Sequence, residues 1–395
     1  MADSNLTCKT FEFKLRMNRT FERACLKTLN DARAVYNAAL EQRISLYTYA
    51  GRSIGYYEQS RQLTEARELP EVKACLRSIQ QDALERLDLA FKAFFRRLRN
   101  GEKPGFPRFK SRDRYHTFSQ KIEKVRGCPL KGDKLTVPGV GSCRVRLSRP
   151  IEGTVKQLRI TRRADGWFAL LVCDLPRPAP LPATGDAVGI DVGLENFATL
   201  STGEVIENPR HLRKAERRLK TAQRKVSRRK KGSHRRKKAV RELRLQHLTV
   251  SRQRKDFHHK TAKPIIEEFD TIAVEDLKIR NLARNPHLAK SISDAGWGGF
   301  ISILSSKAAS AGREVVKVNP AFTSQDCSQC GERVRKSLAV REHRCLVCGL
   351  VLHRDHNAAI NLIGRVGRSG MKAVVPAPSD ELRTVPLEPQ SGQSS

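Results

Sequence analysis

Two short apolar runs in this chain each contain an acidic residue that a buried strand cannot hold as a free charge. Asp191 lies in the run 187–192 and Glu275 in the run 272–277, and turn or polar residues bound both runs. Continuous apolar runs of this length are typical of buried parallel strands. An unpaired ionised carboxylate there costs several kcal/mol, so each acid must be protonated, paired or bound to a cation.

A third acid, Asp355, opens the Ala-rich stretch HRDHNAAINLI. Helical spacing places Asp355, Ala358, Ala359 and Leu362 on one face, with the carboxylate at the start of the helix. Acids on two strands and one helix indicate a cage for divalent metal. Hard oxygen ligands suit Mg²⁺, and two such ions can clamp the attacking and leaving oxygens of a phosphodiester.

The second acid has a rival in its neighbour. Asp276 follows Glu275 directly, and the two-residue period of a strand puts only one of the pair on a given face. Either residue is a candidate ligand from its position alone, and either could instead cap the loop that follows.

The charge of the chain points to a polyanionic partner. Its 395 residues predict two to four domains, and its formal net charge is +35. Charge of this density repels itself unless a polyanion neutralises it, so nucleic acid is the expected partner. A basic surface kept only for solubility is disfavoured, because basic residues improve solubility less than acidic ones.

The apolar segments are short. The longest, 167–175, is strand-like and far below the about 18 residues of a membrane span, and the N-terminus lacks a signal-peptide core. We therefore expect no membrane partner and a cytoplasmic, nucleoid-associated location in a prokaryotic cell.

The N-terminal half changes its hydrophobic period twice. Residues 11–17 alternate as a half-buried strand does, whereas 21–46 and 72–98 have helical spacing. Short alternating stretches in 120–176 predict a twisted sheet or barrel, with which the first strand can pair across the helical insertion. The Pro-rich segment 176–185 predicts a domain boundary.

Residues 210–260 hold 22 Lys or Arg and three acidic residues around a narrow apolar stripe. With a turn at 230–234, this segment predicts two basic helices folded as a hairpin. A solvated face is the usual reading of a charge run, but this density favours contact with phosphates. The candidate contacts are Arg217, Arg218, Arg224, Lys225 and Arg228.

Four of the ten cysteines form two CxxCG knuckles, Cys327 with Cys330 and Cys345 with Cys348, separated by 14 residues. Four thiolates at this spacing predict a closed, structural tetrahedral Zn²⁺ site. A pair of redox dithiols is disfavoured, because each knuckle carries the Gly of a zinc turn and no thioredoxin-like pattern surrounds it. The remaining cysteines are scattered and read as reduced thiols.

The motifs IDVG, VEDL, paired CxxCG and RDxNAAxN, in this order over residues 187–363, resemble the TnpB (OrfB) family of insertion-sequence proteins. The N-terminal half resembles the family more weakly. The resemblance implies a multidomain α/β protein. Its parts are a RuvC-like, ribonuclease-H-type nuclease domain with an inserted zinc ribbon, and an N-terminal β-barrel-like wedge domain interrupted by a helical recognition domain.

The resemblance and the composition together predict the domain boundaries. The predicted parts are the first wedge strand (1–18), the helical recognition domain (19–105), the wedge β domain (106–178), the RuvC-like nuclease (179–322) with its basic hairpin (210–262), the zinc ribbon (323–352), the last RuvC helix (353–366) and a disordered tail (367–395).

The resemblance also implies roles for residues. Asp191, Glu275 and Asp355 correspond to the catalytic acids that hold Mg²⁺, which favours Glu275 over Asp276, and the four knuckle cysteines correspond to the zinc ligands. By position, Lys73, Gln80 and Gln81 are candidates for reading a short motif beside the target DNA, although ordinary helix-surface roles are an equal alternative.

The implied activity is RNA-guided cleavage of target DNA, with a guide RNA from the transposon end. A miniature CRISPR effector would share the same active site. A non-catalytic nucleic-acid-binding regulator would use the acids only to hold a structural metal. A DDE-type transposase is disfavoured, because that class needs no guide and usually lacks a zinc ribbon between its acids.

Overall fold

A computed structural model describes residues 6–122, 128–337 and 340–366. The chain divides into two units, Met1–Arg177 and Pro178–Ser395, and the division lies in the predicted Pro-rich boundary. The tail predicted as disordered lies outside the described residues. None of the described helices is both long and apolar enough to cross a membrane.

The first unit is built on an antiparallel sheet. Its strands are β1 (Leu6–Arg16), β2 (Thr117–Lys121), β3 (Leu130–Lys131), β4 (Lys134–Val137), β5 (Gly141–Arg146), β6 (Thr154–Arg163) and β7 (Gly166–Pro176). They lie in the order β2-β6-β7-β1-β5-β4-β3. Strand β1 pairs with β5 and β7, so the expected pairing across the helical insertion is confirmed.

The helices of this unit are α1 (Arg19–Ala50), α2 (Tyr56–Ala66), α3 (Pro70–Lys73) and α4 (Arg77–Arg99). Asn18 caps α1 by accepting from the Phe21 N–H at 2.7 Å, and Gly51 ends it in the left-handed region at φ 61°. The second predicted helical run is broken at residues 74–76, and α2 was not predicted, because its polar composition hides the helical period.

The second unit has a mixed sheet. Its strands are β8 (Ala187–Val192), β9 (Asn196–Leu200), β10 (Val205–Glu207), β11 (Thr271–Glu275) and β12 (Glu314–Val318), in the order β10-β9-β8-β11-β12. β11 runs parallel to both β8 and β12, whereas β9 is antiparallel to its neighbours. The prediction of buried parallel strands is thus confirmed at 187–192, whereas the second strand, predicted at 272–277, is observed at Thr271–Glu275 and ends before Asp276.

The remaining elements of this unit are α5 (His211–Ser227), α6 (His234–Glu268), α7 (Ile279–Leu282), α8 (Ala289–Ala295), α9 (Trp297–Ala311), β13 (Glu342–Arg344), β14 (Val351–His353) and α10 (Arg354–Val366). The basic hairpin is confirmed as α5 and α6, whose second helix runs to Glu268 rather than ending at 262. Ser233 caps α6 by accepting from the Arg236 N–H at 3.1 Å.

Alternate residues of the central strands face opposite sides of this sheet. Val188 and Ile190 of β8 pack in the larger core with α6 and α9. On the other side, Leu362 of α10 packs with Ala273 of β11 and with β12. The helix that begins at Arg354 therefore covers the face of the sheet from which Glu275, two residues after Ala273, projects.

Candidate active site and zinc site

The first two acids lie at the carboxyl ends of neighbouring parallel strands. Ile190 of β8 pairs with Val274 of β11, and Asp191 and Glu275 are the next residue of each strand. Because side chains alternate along a strand, both acids project from the face that α10 covers. Open α/β sheets bind ligands at the carboxyl ends of their strands, so this is the expected place for a site.

The third acid is brought to this place by the packing of α10 on β8. Asp355 lies in the first turn of α10 and is 7% exposed. A Cβ atom built on Gly193, just after β8, would lie 3.9 Å from the Asp355 Oδ2 atom. The fold therefore gathers residues separated by up to 164 positions in the chain at one edge of the sheet.

The ionised form of each strand acid, Asp191 and Glu275, is disfavoured by its surroundings. Burial raises the pKa of Asp191 well above its usual value, and the charges of Glu275 and then Asp355 raise it further. Burial also raises the pKa of Glu275. Arg354 and Arg365 oppose these effects only in part, so a bound cation would relieve the remaining repulsion.

Carboxylate oxygens are the ligands that Mg²⁺ prefers, and the site offers three carboxylates. The donor set and the raised pKa values of Asp191 and Glu275 fit a divalent ion. Within the described ranges, the group of three or more His, Cys, Asp or Glu side chains that already lie close enough to hold a metal ion is the cysteine cluster, whose sulfur atoms lie within 4.8 Å of one another.

The structure separates Glu275 from its neighbour Asp276. The Asp276 side chain is 62% exposed and lies 4.0 Å from Lys317 Nζ, whereas Glu275 accepts a hydrogen bond at 2.9 Å from the buried Thr323 hydroxyl. Glu275 is also electrostatically linked to Asp355. Of the two candidates, Glu275 is therefore the one that shares a site with the other acids.

The four knuckle cysteines converge. Their Sγ atoms all lie within 4.8 Å of one another, with 3.6 Å between Cys327 and Cys348 and 3.6 Å between Cys330 and Cys345. A tetrahedron with Zn–S bonds of about 2.3 Å has edges of about 3.8 Å, so the sulfurs fit one zinc ion. A disulfide would need about 2.05 Å.

The backbone prepares one of these thiols for metal. Gly331 and Gly349 adopt φ values of 81° and 77°, which lets each knuckle turn back so that its glycine N–H bonds the carbonyl of the first cysteine. The backbone N–H groups of Cys348 and then Val347 lower the pKa of Cys345 to about 7. A thiol with that pKa yields the thiolate that zinc requires.

One candidate nucleic-acid contact is corrected by the structure. Gln80 is 1% exposed; its amide donates to the Val72 carbonyl at 2.7 Å and accepts from Arg67 at 2.6 Å. This side chain joins the start of α4 to α3 and to Arg67 before it, and is unavailable to a ligand. Lys73 is exposed and Gln81 is partly exposed, so these two remain candidates.

The candidate residues of the hairpin, Arg217, Arg218, Arg224, Lys225 and Arg228, are all exposed. Lys225 differs from the others because its Nζ lies 2.6 Å from Glu242 of α6 and so links the two helices. The base of the hairpin is held by a residue that the sequence did not single out. Asp294 accepts from the backbone N–H groups of Leu212 and Arg213, which open α5.

Another residue that the motifs did not reveal is Thr323, the partner of Glu275. The segment TSQD immediately precedes the first knuckle, and its short polar residues are the only local signal. Nothing in the sequence indicates that this segment returns to β11. The hydrogen bond spans 48 residues of chain and depends on the tertiary fold.

Comparisons with known proteins agree with this arrangement. Residues 170–286 match the family model OrfB_IS605, described as "Probable transposase". Residues 297–362 match the model "Cas12f1-like, TNB domain". The two models thus cover the segments that contain Asp191, Glu275, Asp355 and all four knuckle cysteines.

Relatives named as RNA-guided DNA endonucleases match over most of the chain. A Streptomyces pristinaespiralis protein named "Putative RNA-guided DNA endonuclease" is 38% identical over 363 residues, which cover 89% of this chain and 88% of the relative. The Escherichia coli K12 protein named "Putative RNA-guided DNA endonuclease InsQ" is 28% identical over 376 residues, covering 90% and 91%.

Among solved structures, a Cas12f1 chain determined with its single guide RNA and target DNA has the same fold. The match has a TM-score of 0.59 at 15% identity and covers 91% of this chain and 99% of the Cas12f1 chain. At this identity the similarity concerns the fold alone, and it includes both units of the chain.

Proposed function

The chain belongs to the TnpB (OrfB) family, and on that premise we propose that it is an RNA-guided DNA endonuclease encoded by a transposable element. The observation that carries the proposal is the meeting of Asp191, Glu275 and Asp355 at one edge of the sheet, where burial and mutual repulsion raise the pKa values of the first two. The relatives named for this activity support it over nearly the whole chain.

The three acids would hold two Mg²⁺ ions. When bound, such ions supply an activated water and neutralise charge on the leaving oxygen. The chain contributes the rest: two rigid parallel strands and a helix start hold the carboxylates, and Arg354 lies 3.4 Å from Asp355 Oδ1, where it restrains that carboxylate. The four cysteines would hold one structural zinc ion.

The basic surface would bind the nucleic acids. Exposed Arg217, Arg218, Arg224 and Arg228 on α5 are placed to contact phosphates, which gives affinity without sequence preference. Pairing between a guide RNA from the transposon end and the target strand would select the sequence. Lys73 and Gln81 are the remaining candidates for reading the short motif beside the target. The strands of the first unit would form the wedge domain, and its helices the recognition domain.

The first experiment is to purify the protein from cells that carry its native locus and to sequence the RNA that accompanies it. A discrete RNA whose 3′ part matches the flanking DNA supports a guided nuclease. Heterogeneous cellular RNA contradicts it and favours general nucleic-acid binding.

The second experiment tests cleavage itself. The RNA complex is assayed on plasmid DNA carrying the matching target, with Mg²⁺ and with EDTA, beside the Asp191→Ala variant. Loss of cleavage in the variant with unchanged nucleic-acid affinity supports the assignment. A variant that still cuts would sink it, and a wild-type complex that binds target without cutting would favour a non-catalytic regulator.

The Cas12f1-like fold makes a miniature CRISPR effector the second candidate. Its active site would be the same, so cleavage cannot separate the two. The genomic neighbourhood does: a CRISPR array beside the gene favours the effector, and a transposon end favours the proposed function.

A further inference from the structure

The loop that leads from β12 into the first cysteine knuckle also touches the candidate active site. Within this loop, residues 319–328, Thr323 is 3% exposed. Its hydroxyl lies 2.9 Å from Glu275 Oε1 and 3.1 Å from the Pro320 carbonyl. The first contact is the stronger one, because a carboxylate accepts a shorter and tighter hydrogen bond than a carbonyl.

Helix α10 holds this loop with side chains four residues apart, which places them on one helical face. Asn361 donates to the carbonyls of Thr323 and Asp326 at 2.8 and 2.7 Å. Arg365 donates to the carbonyls of Asn319 and Ala321 at 2.9 and 2.8 Å. The backbone on both sides of Thr323 is therefore held in place by the helix that carries Asp355.

The same face of α10 grips the first zinc knuckle. Asn357, which is fully buried, donates to the Asp326 carbonyl at 2.8 Å and accepts from the Ser328 N–H at 2.9 Å. These two residues flank the zinc ligand Cys327. The network thus runs from the zinc knuckle through α10 and the loop to the Thr323 hydroxyl.

We propose that Thr323 is the positioning residue for Glu275: its hydroxyl holds one carboxylate oxygen so that the other is presented to the divalent ion, and Asn361 holds Thr323 in place. The proposal rests on the proposed function, because it takes Glu275 as a ligand of that ion. A carboxylate on a strand end has free side-chain torsions, and fixing them before the ion binds removes an entropic cost of binding.

The test measures divalent-ion binding directly. Mn²⁺ is titrated into the purified, zinc-loaded protein by calorimetry, and the Mg²⁺ dependence of cleavage by the RNA complex is measured in parallel. Thr323→Val removes the hydroxyl and keeps the shape, and we expect Mn²⁺ affinity to fall about tenfold, the effect of one hydrogen bond to a charged group. Cleavage should recover at saturating Mg²⁺.

Thr323→Ser keeps the hydroxyl and should bind Mn²⁺ as the wild type does. The matched control is Thr161→Val, which removes another buried hydroxyl, bonded to Thr117 at 2.7 Å in the first unit, and should leave Mn²⁺ affinity unchanged. Zinc content and melting temperature identify variants that are merely unfolded.

An unchanged Mn²⁺ affinity in Thr323→Val, or an equal loss in Thr323→Ser, overturns the proposal. If Thr323→Val does not fold, Asn361→Ala decides, since releasing the loop should weaken Mn²⁺ binding in the same direction and an unchanged affinity would contradict this. A failure of the proposed function can be distinguished from this result. In that case the Asp191→Ala variant retains cleavage, regardless of the Mn²⁺ affinity of the Thr323 variants.

Discussion

Gly189 of β8 lies so close to Ala359 of α10 that a Cβ atom on the glycine would come within 1.9 Å of the Ala359 carbonyl oxygen. The obstructing atom belongs to the backbone of α10, so a change of side-chain rotamer cannot relieve the clash. The absence of a side chain at this strand position is what allows α10 to lie against β8 and to deliver Asp355 to the end of the strand that carries Asp191.

Gly189→Ala should therefore displace α10. We expect a loss of about 1–3 kcal/mol in the free energy of unfolding, the usual cost of overpacking, together with loss of Mg²⁺-dependent cleavage. Urea denaturation and a plasmid cleavage assay measure the two effects.

The matched control is Gly364→Ala in the same helix. A Cβ atom there meets nothing within 4 Å, so alanine should stabilise the helix by about 0.5–1 kcal/mol and leave cleavage intact. Equal stability and activity of Gly189→Ala and wild type would show that the close approach does not matter.

Loss of zinc should unfold the segment that carries the four knuckle cysteines and lower the stability of the protein. In Cys345→Ser we expect zinc content, measured by atomic absorption, to fall to near zero, and the melting temperature to fall, because zinc binding supplies folding free energy at such sites. Cys128→Ser replaces an exposed cysteine of the first unit and should keep one zinc per chain. Full zinc loading of the Cys345→Ser protein would refute the cysteine site.

The hairpin should contribute salt-sensitive affinity. For the double variant Arg217→Gln and Arg224→Gln, we expect binding to duplex DNA to weaken at low salt. The slope of log affinity against log salt concentration should decrease in magnitude by about 1.8, because each of the two lost phosphate contacts contributes about 0.9. Fluorescence anisotropy at several salt concentrations measures this slope.

The control for the hairpin is Lys9→Gln, which removes an exposed cation that already pairs with Glu152 at 3.1 Å. It should leave the slope unchanged. A double variant with the wild-type slope would remove these two arginines from the nucleic-acid surface.

His258 should make the protein sensitive to mild acid. Burial lowers its pKa to about 4, and its ring lies 3.0 Å from the Ala295 carbonyl and near Phe197 and Phe300. The unfolded chain takes up a proton on this imidazole near pH 6.5, and the folded chain takes it up only near pH 4. The stability that the protein gains from burying the neutral imidazole is therefore fully present above pH 6.5. It is lost as the pH falls toward 4.

Over the whole range from pH 6.5 to pH 4, the loss in the free energy of unfolding is about 3 kcal/mol, because each unit by which the pKa is lowered corresponds to about 1.4 kcal/mol. Urea denaturation at pH 7.5 and pH 5 should show a smaller acid-induced loss of stability in His258→Gln than in the wild type. Equal losses in the two proteins would mean that other groups govern the acid response.

Much of the candidate site follows from local sequence patterns. The strands of Asp191 and Glu275, the helix of Asp355 and the cysteine knuckles are visible because apolar runs, helical spacing and CxxCG turns are properties of neighbouring residues. The basic hairpin is visible for the same reason. Its second helix and the helices of the first unit differ from expectation at their ends and breaks, where local signals are weakest.

The sequence by itself determined the strands of Asp191 and Glu275, the helix of Asp355, the basic hairpin and the cysteine knuckles, since each of these depends on residues close together in the chain. Its net charge of +35 indicates a polyanionic partner. Only the tertiary structure decided that Glu275 rather than Asp276 faces the other acids, that Gln80 is buried, and that Thr323 bonds Glu275 from 48 residues away. These facts depend on which faces of distant elements pack together, and no local pattern records that choice.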